Sequence, residues 1–304
     1  MTSTYSEAAS TAANYYDSDD ADRFYAGIWG GEDIHIGLYE SAQEPIATAS
    51  RRTVDALIAL IGQPLPPNEA TTLRVVDFGS GYGGAARRLC SSTGIKVDAI
   101  NISAVENNRH RLLNQEAGLS ERITVHDASF EAVPLPDGCA DVIWSQDAIL
   151  HSGDRRTVMQ EAARLLKPGG VMVMTDPMAA DGVNADSLTA ILGRIHLGDL
   201  GSPERYHRWG SEAGLTRTAW HDRTAMLIEH YDRVRLELRR RREELESSIT
   251  PGYLERMDAG LGHWVDGGQS GKLSWGLMRF SKPLNRWSQS QRRPQHRATH
   301  RWRS

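Results

Sequence analysis

Residues 73–84 read LRVVDFGSGYGG, an apolar run that carries an acid near its end and opens into glycines. The run with Val75, Val76 and Phe78 reads as a buried strand, and Asp77 stands at its carboxyl end. Gly79, Gly81, Gly83 and Gly84 let the backbone turn and approach a ligand at the N-terminus of the following helix, where unpaired amides point outward. The spacing Gly79-x-Gly81-x-x-Gly84 also satisfies the dinucleotide fingerprint, so the glycines alone leave the ligand open. Two neighbours narrow it. Asp77 precedes the glycines, and Asn101 ends the second strand where a nicotinamide enzyme usually shows Asp or Glu. A free carboxylate beside the loop suits a ligand with a positive amino group better than a pyrophosphate. S-adenosylmethionine is such a ligand. The expected holders here are Asp77, Gly79, Ser80, Gly81, Gly84, Asn101 and Ile102.

Outward from the loop the chain alternates strand and helix. The helix GYGGAARRLCSST (81–93) leads to strand KVDAINI (96–102), helix VENNRHRLLNQEAG (105–118) and strands ITVHDA (123–128) and CADVIWSQ (139–146). A helix predicted over 155–170, stopped by Pro-Gly-Gly, precedes strand VMVMTDP (171–177). Short apolar strands alternating with helices predict a parallel, doubly wound α/β sheet. Before it, Ser50–Ile61 reads as an amphipathic helix. After it come a loop-rich insert at about 178–212, a strand at 215–222, a charged helix at 226–247 and a closing strand at 272–280.

Ligands of such sheets bind beyond the strands' carboxyl ends. Strand three ends in HDASFEAVP (126–134), which puts Asp127, Ala128 and Ser129 where an adenine amine would lie; Ser129 also reads as a plain helix cap. Strand four ends in WSQDAILHS (144–152), which brings Gln146, Asp147 and His151 to the same edge.

Composition bounds the alternatives. The chain has 304 residues, 39% apolar and 24% charged, which is a soluble globular balance. No run approaches the roughly 18 apolar residues of a spanning helix, and the first residues lack the pattern of a signal peptide. Cys90 and Cys139 are too few for a disulfide framework or a metal cluster, so a cytoplasmic protein without metal is expected. The net charge is −4, but residues 286–304 hold six arginines and no acid, so the remainder carries −10. An acidic body argues against nucleic acid as the main partner and leaves the tail as a solvated extension. Homo-oligomerisation stays open.

In order, DFGSGYGG, INIS, DASFEAVP, WSQDAILHS and LLKPGG resemble the class I S-adenosylmethionine-dependent methyltransferases over residues 50–222. The segments NYYDSDDADRFYAGIWGGEDIHIGLY (14–39), TDPM (175–178), RIHL (194–197) and LERMDAGLGHWVDGGQSGKLSWG (254–276) resemble the sarcosine/dimethylglycine N-methyltransferases nearly end to end. The resemblance implies a Rossmann-like, seven-stranded, mostly parallel sheet at 50–285, an N-terminal lid at 1–49 and a substrate-covering insert. It also implies S-adenosylmethionine as methyl donor and a small zwitterionic amine as substrate. DAILH is similar, more weakly, to the phosphoethanolamine N-methyltransferases, which implies that Asp147 and His151 contact substrate or orient a tyrosine, here Tyr16. Where relatives often show Gln after the NIS turn, this chain has Glu106, so a cofactor contact there is not carried over.

Methyl transfer to an amine needs an unprotonated nitrogen held in line with the methyl and shielded from water. His151 is the expected proton relay, and Arg194 the expected partner of a substrate carboxylate. Tyr16, Tyr25, Trp29, Trp144 and Trp275 are candidate rings for a cationic amine, with core packing as the competing role. Gly30 and Gly31 read as the hinge of the lid. Competing functions are methylation of another amine such as phosphoethanolamine, methylation of a lipid carbon, a dehydrogenase, and a cofactor-binding module without turnover.

Overall fold

The computed structural model describes residues 11, 17–29, 32–62, 73–195 and 197–284, with backbone alone at 92, 93 and 194. Tyr16, Gly30, Gly31 and the arginine-rich tail at 286–304 lie outside the described residues.

Two helices, α1 (Asp19–Ile28) and α2 (Ile46–Leu60), lead into β1 (Arg74–Phe78), α3 (Gly84–Thr93), β2 (Lys96–Asn101), α4 (Ala104–Glu116), β3 (Ile123–Asp127) and β4 (Ala140–Gln146). Then follow α5 (Arg155–Leu165), β5 (Leu166–Thr175), β6 (Met178–Ala179), α6 (Thr189–Ile195), α7 (Pro203–Glu212) and β7 (Thr216–Asp222). The chain continues through α8 (Thr224–Arg240), α9 (Arg242–Leu245), α10 (Pro251–Gln269), β8 (Leu273–Ser274) and β9 (Gly276–Ser281).

Seven strands form one sheet in the order β3-β2-β1-β4-β5-β9-β7, with β9 antiparallel to both its neighbours and the other pairs parallel. The expected doubly wound sheet is what forms. Its central strands are apolar on both faces because helices cover both. One face packs Val76, Ile143, Met172 and Phe280 under α5 and α7; the other packs Val75, Val142, Trp144 and Val173 under α2 and α3. Each such side chain contributes roughly 1.5–3 kcal/mol of burial. Strand order reverses between β1 and β4, so a crevice opens at their carboxyl ends. Over that crevice α8 and α10 pack side by side with α1 and the 178–200 segment, burying Phe24, Ile36, Val234, Leu261 and Trp264.

Four local expectations change. The helix predicted over 155–170 stops at Leu165, and Lys167–Gly170 belongs to β5. Gly169, at φ 85°, donates to the Lys282 carbonyl at 2.9 Å, a sheet-edge contact that a helix would forfeit. The charged helix breaks at Arg241 (φ −102°, ψ 15°) into α8 and α9. The closing strand splits at Trp275, whose N–H donates to Thr224 Oγ1 and whose carbonyl accepts from Arg223 N–H. The first piece then joins β6 in a second, two-stranded sheet, and the second joins the main one. Helix α10 was not expected, because Gly260, Gly262, Gly267 and Gly268 depress its propensity. Packing requires them: a Cβ on Gly268 would press against Ile228 Cγ1 at 2.5 Å, and one on Gly262 against the Arg235 guanidinium at 2.9 Å.

Candidate active site

The glycine loop is strained in a way only glycine relieves. Gly79, Gly81 and Gly83 have φ of 76°, 49° and 79°. A Cβ on Gly79 would overlap Ala148 Cβ, so the exits of β1 and β4 touch at this point. The Gly79 and Ser80 N–H groups both donate to the Ile100 carbonyl, at 2.8 and 3.3 Å, which ties the loop to the end of β2.

Beyond the loop lies a cavity with about 730 Å³ of empty space. Of the predicted residues, Gly79, Gly81, Asn101, Ile102, Ala128, Ser129, Gln146, Asp147 and His151 wall it. Four strand ends thus meet where the topology places them. Ser129 Oγ also accepts from Glu131 N–H at 3.1 Å, but no helix starts there, so the side chain closes a turn instead of forming the expected helix cap. Gln146 Oε1 accepts from Trp144 Nε1–H at 3.1 Å, while its buried Nε2 has no partner among the described residues. Ser80 Oγ is likewise buried without one. A wider groove of about 2050 Å³ between α1, α6 and α10 holds none of the strand ends, so position rather than size locates the site.

Glu106 also walls the cavity. Ser103 caps α4 by accepting Glu106 N–H at 3.1 Å, and the Glu106 carboxylate accepts from Asn101 Nδ2 at 3.0 Å. Burial first, with the charges of Asp17 and Asp22 behind it, pushes its carboxyl up to about 7. The residue that weakened the resemblance therefore stands inside the candidate site.

Behind this cavity lies an inner one, with about 570 Å³ of empty space, walled by Tyr25, Trp29, His230, Tyr231 and Trp264. Ile34, Asp147 and His151 wall both. Asp147 is the one described non-glycine residue at positive φ, 50°. Its Oδ2 accepts from Ile36 N–H at 2.8 Å and its Oδ1 from Trp275 Nε1–H at 2.7 Å. His151 ends the 3-10 turn Ile149–His151, which is held from both sides. Leu150 N–H donates to Asp176 Oδ1 at 3.0 Å, and the Leu150 carbonyl accepts from the buried Arg155 guanidinium at 2.7 Å.

Other predicted residues go elsewhere. Asp77 is 2% exposed and lies off the cavity wall, near Asp33 of the N-terminal segment. Burial, then the Asp33 charge, pushes Asp77 up to about 7; burial, then Glu32, pushes Asp33 up to about 6. Gly84 lies under the Asp33 carboxylate, where a Cβ would overlap Oδ1. Asp127 is not on the cavity wall; its carboxylate accepts from Asn107 Nδ2 at 2.8 Å and from the Arg111 guanidinium. Trp144 is fully buried in the sheet core, so its ring is a packing element and not a substrate contact. Trp275 serves Asp147 through its N–H. Arg194 falls in α6, with its side chain outside the described residues.

The residues not singled out from the sequence include Asp33, Ile34, His35, His230, Tyr231 and Trp264. Asp33 and Ile34 sit in the stretch read as a lid, and Trp264 in a stretch the resemblance covers. His230 gave no signal, being one polar residue in a charged helix. Among the described residues no cluster of His, Cys, Asp and Glu is placed to hold a metal ion, and no helix is long and apolar enough to cross a membrane.

The family model described as a methyltransferase domain matches residues 76–174, which run from β1 to β5. A dimethylglycine N-methyltransferase of Parasynechococcus marenigrum is 64% identical over 276 residues, covering 91% of this chain and 97% of that protein. A sarcosine/dimethylglycine N-methyltransferase of Halorhodospira halochloris is 49% identical over the same shares of each chain. A crystal structure named for a sarcosine dimethylglycine methyltransferase of Galdieria sulphuraria superposes with a TM-score of 0.81 at 44% identity, covering 87% of this chain and 99% of that one.

Proposed function

The chain belongs to the sarcosine/dimethylglycine N-methyltransferase family, and on that footing we propose that it methylates the nitrogen of sarcosine or N,N-dimethylglycine with S-adenosylmethionine, towards glycine betaine. One observation carries the reading. Asp147 and His151 stand where an outer cavity at the glycine loop meets an inner cavity of aromatic rings.

The outer residues fit the methyl donor. Gln146 Nε2 is buried and unspent, and the loop leaves Gly81 open towards the cavity. The buried acids Asp77 and Asp33, both pushed above the usual carboxylate range, are suited to a cation between them. In our reading the backbone at Gly79 and Gly81, with Asn101, Glu106, Ala128, Ser129 and Gln146, would hold S-adenosylmethionine, and Asp77 with Asp33 would take its amino group. When bound it supplies a methyl on a sulfonium sulfur, an electrophile that needs no covalent help from the protein.

The chain's own residues then have three tasks. The Asp147 carboxylate, pinned by two donors, holds the amine and counters the positive charge that grows on nitrogen as the new bond forms. Tyr25, Trp29, Tyr231 and Trp264 exclude water and offer ring faces to the N-methyl groups. His151 accepts the proton of an amine that arrives protonated. Residues 32–38, which carry Ile34 and His35 to the outer cavity, act as the lid. The free thiols of Cys90 and Cys139 support our reading of a reducing, cytoplasmic setting.

The test is a panel of glycine, sarcosine, dimethylglycine and phosphoethanolamine with S-adenosylmethionine. Turnover is expected on sarcosine or dimethylglycine. Turnover on phosphoethanolamine alone would overturn the substrate, and cofactor binding with no turnover on any of them would overturn the enzyme. His151→Ala tests the relay. Its defect is expected to be largest at low pH, where the amine arrives protonated, and to shrink in alkaline buffer. Equal impairment across the pH profile would assign His151 a positioning role instead.

A further inference from the structure

The amine of the proposed substrate has a partner in Asp147, but nothing described so far receives its carboxylate. Two buried donors do the opposite: they wait for an acceptor. Trp29, 4% exposed, carries an Nε1–H with no partner among the described residues, and His230, 0% exposed, carries an Nε2 in the same condition. Both rings wall the inner cavity, with centroids 5.5 Å apart.

The state of His230 follows from its other nitrogen. Gly37 N–H donates to Nδ1 at 3.2 Å, and the Tyr39 hydroxyl lies 2.9 Å from the same atom. A backbone N–H can only donate, so Nδ1 presents its lone pair and the ring proton resides on Nε2. Burial, with His35 and Arg233 nearby, pushes the imidazole down to about 3 and keeps it neutral. Nε2–H is therefore a fixed donor, on the ring edge not spent on the 37–39 segment.

We propose that Trp29 Nε1–H and His230 Nε2–H form the subsite for the carboxylate of an α-amino acid, in the same inner cavity that Asp147 walls. This rests on the N-methyltransferase reading and deepens it. One strap sets the spacing. Ile36 N–H holds Asp147, and the next amide, Gly37 N–H, holds His230. The acceptor for the amine and a donor for the carboxylate are thus tied to consecutive residues. In sarcosine and dimethylglycine one methylene separates the two charged groups. Two neutral donors also suit the site better than a cation, because a buried positive charge beside the amine would repel it. A carboxylate that accepts two hydrogen bonds keeps its charge and offsets the amine's own.

Trp29→Phe keeps a ring and removes the N–H. His230→Asn keeps an acceptor near the Nδ1 position and removes the donor at Nε2. Each is expected to raise KM for dimethylglycine about tenfold to a hundredfold, with a smaller effect on kcat. The ratio of kcat/KM for dimethylglycine to that for dimethylethanolamine, which replaces the carboxylate with a hydroxyl, is expected to fall about tenfold or more. S-adenosylhomocysteine affinity and thermal midpoint report that each variant is folded. Folded variants with wild-type KM and an unchanged ratio overturn the subsite, and a raised KM in Arg194→Ala instead would move the carboxylate to α6. A wild-type enzyme that methylates neither sarcosine nor dimethylglycine overturns the underlying reading, not the subsite alone. Should a variant fail to fold, the wild type still decides. Dimethylglycine added to enzyme saturated with S-adenosylhomocysteine is expected to shift the Trp29 indole N–H resonance, and an unmoved resonance overturns the proposal.

Discussion

Gly81→Val is expected to abolish S-adenosylmethionine binding and to leave the protein folded. The expectation depends on where the new side chain would go. Gly81 has φ 49°, and the nearest atom to a Cβ built on it is Ile34 Cδ1, at 3.8 Å. The side chain would therefore stand in the outer cavity rather than in the core. Its neighbours behave otherwise. A Cβ on Gly79 would strike Ala148, and one on Gly83 would strike the His110 ring, so substitutions there report on packing as well as on ligand. Left-handed backbone makes a β-branched residue cost about 1–2 kcal/mol, well inside the stability of a domain of this size. Calorimetric titration is expected to show a loss of affinity greater than about a hundredfold, since the valine occupies space the ligand needs. Denaturant unfolding is expected to show a single transition at slightly lower midpoint. Wild-type affinity in a folded Gly81→Val would remove the glycine loop from the cofactor site.

What the sequence made legible is the part of the fold governed by short-range rules. Strands β1 to β5 are apolar runs between turn residues, and their carboxyl ends carry Asn101, Ser129, Gln146 and Asp147, which the sheet brings to one cavity. The switch point between β1 and β4 follows from topology alone. The inner cavity was not legible, because its walls come from α1, near the start of the chain, and from α8 and α10, near its end. Helix α10 hides behind its glycines, and the same glycines let it approach α8. Trp144 and Trp29 show the limit in a single residue type. Both were candidate rings for the amine, yet one sits in a central strand between covered faces and the other on a helix end beside the cavity. Asp127 stands off the cavity wall for a different reason: Arg111 and Asn107 on α4 engage its carboxylate, and a neighbouring helix's side chains cannot be read from strand spacing.

The lid that we propose at residues 32–38 rests on their contacts. They are not a loose cover, because three of their groups engage residues of the candidate site. Asp33 lies over the N-terminus of α3 beside Asp77, Ile36 N–H holds Asp147, and Gly37 N–H holds His230. Closing this segment would order the cofactor end and the substrate end together. A displaced strap would leave both Asp147 and His230 without a donor that now fixes them.

Asp147→Asn is expected to reduce kcat/KM for the amine about a hundredfold to a thousandfold, the range for removing one preorganised charge-stabilising group. The substitution suits the backbone: Asn tolerates φ 50° as readily as Asp, so the loop need not move. The chemistry changes instead. In methyl transfer, positive charge leaves sulfur and grows on nitrogen, and a carboxylate beside that nitrogen is favoured more in the transition state than before it. An amide offers only a dipole. The amide also fails locally, because Ile36 N–H and Trp275 Nε1–H each donate to a separate carboxylate oxygen. Asn has one oxygen, so its NH2 group must face a donor, and one of the two loses its partner at about 1–3 kcal/mol of stability. Asp147→Glu separates the effects, since it keeps the charge and displaces it by one methylene. Steady-state kinetics with sarcosine and dimethylglycine, together with urea unfolding, measure both consequences. Asp147→Asn with reduced stability but wild-type kcat/KM would mean that the carboxylate only tethers the strap and Trp275, and that the amine is held by the aromatic rings alone.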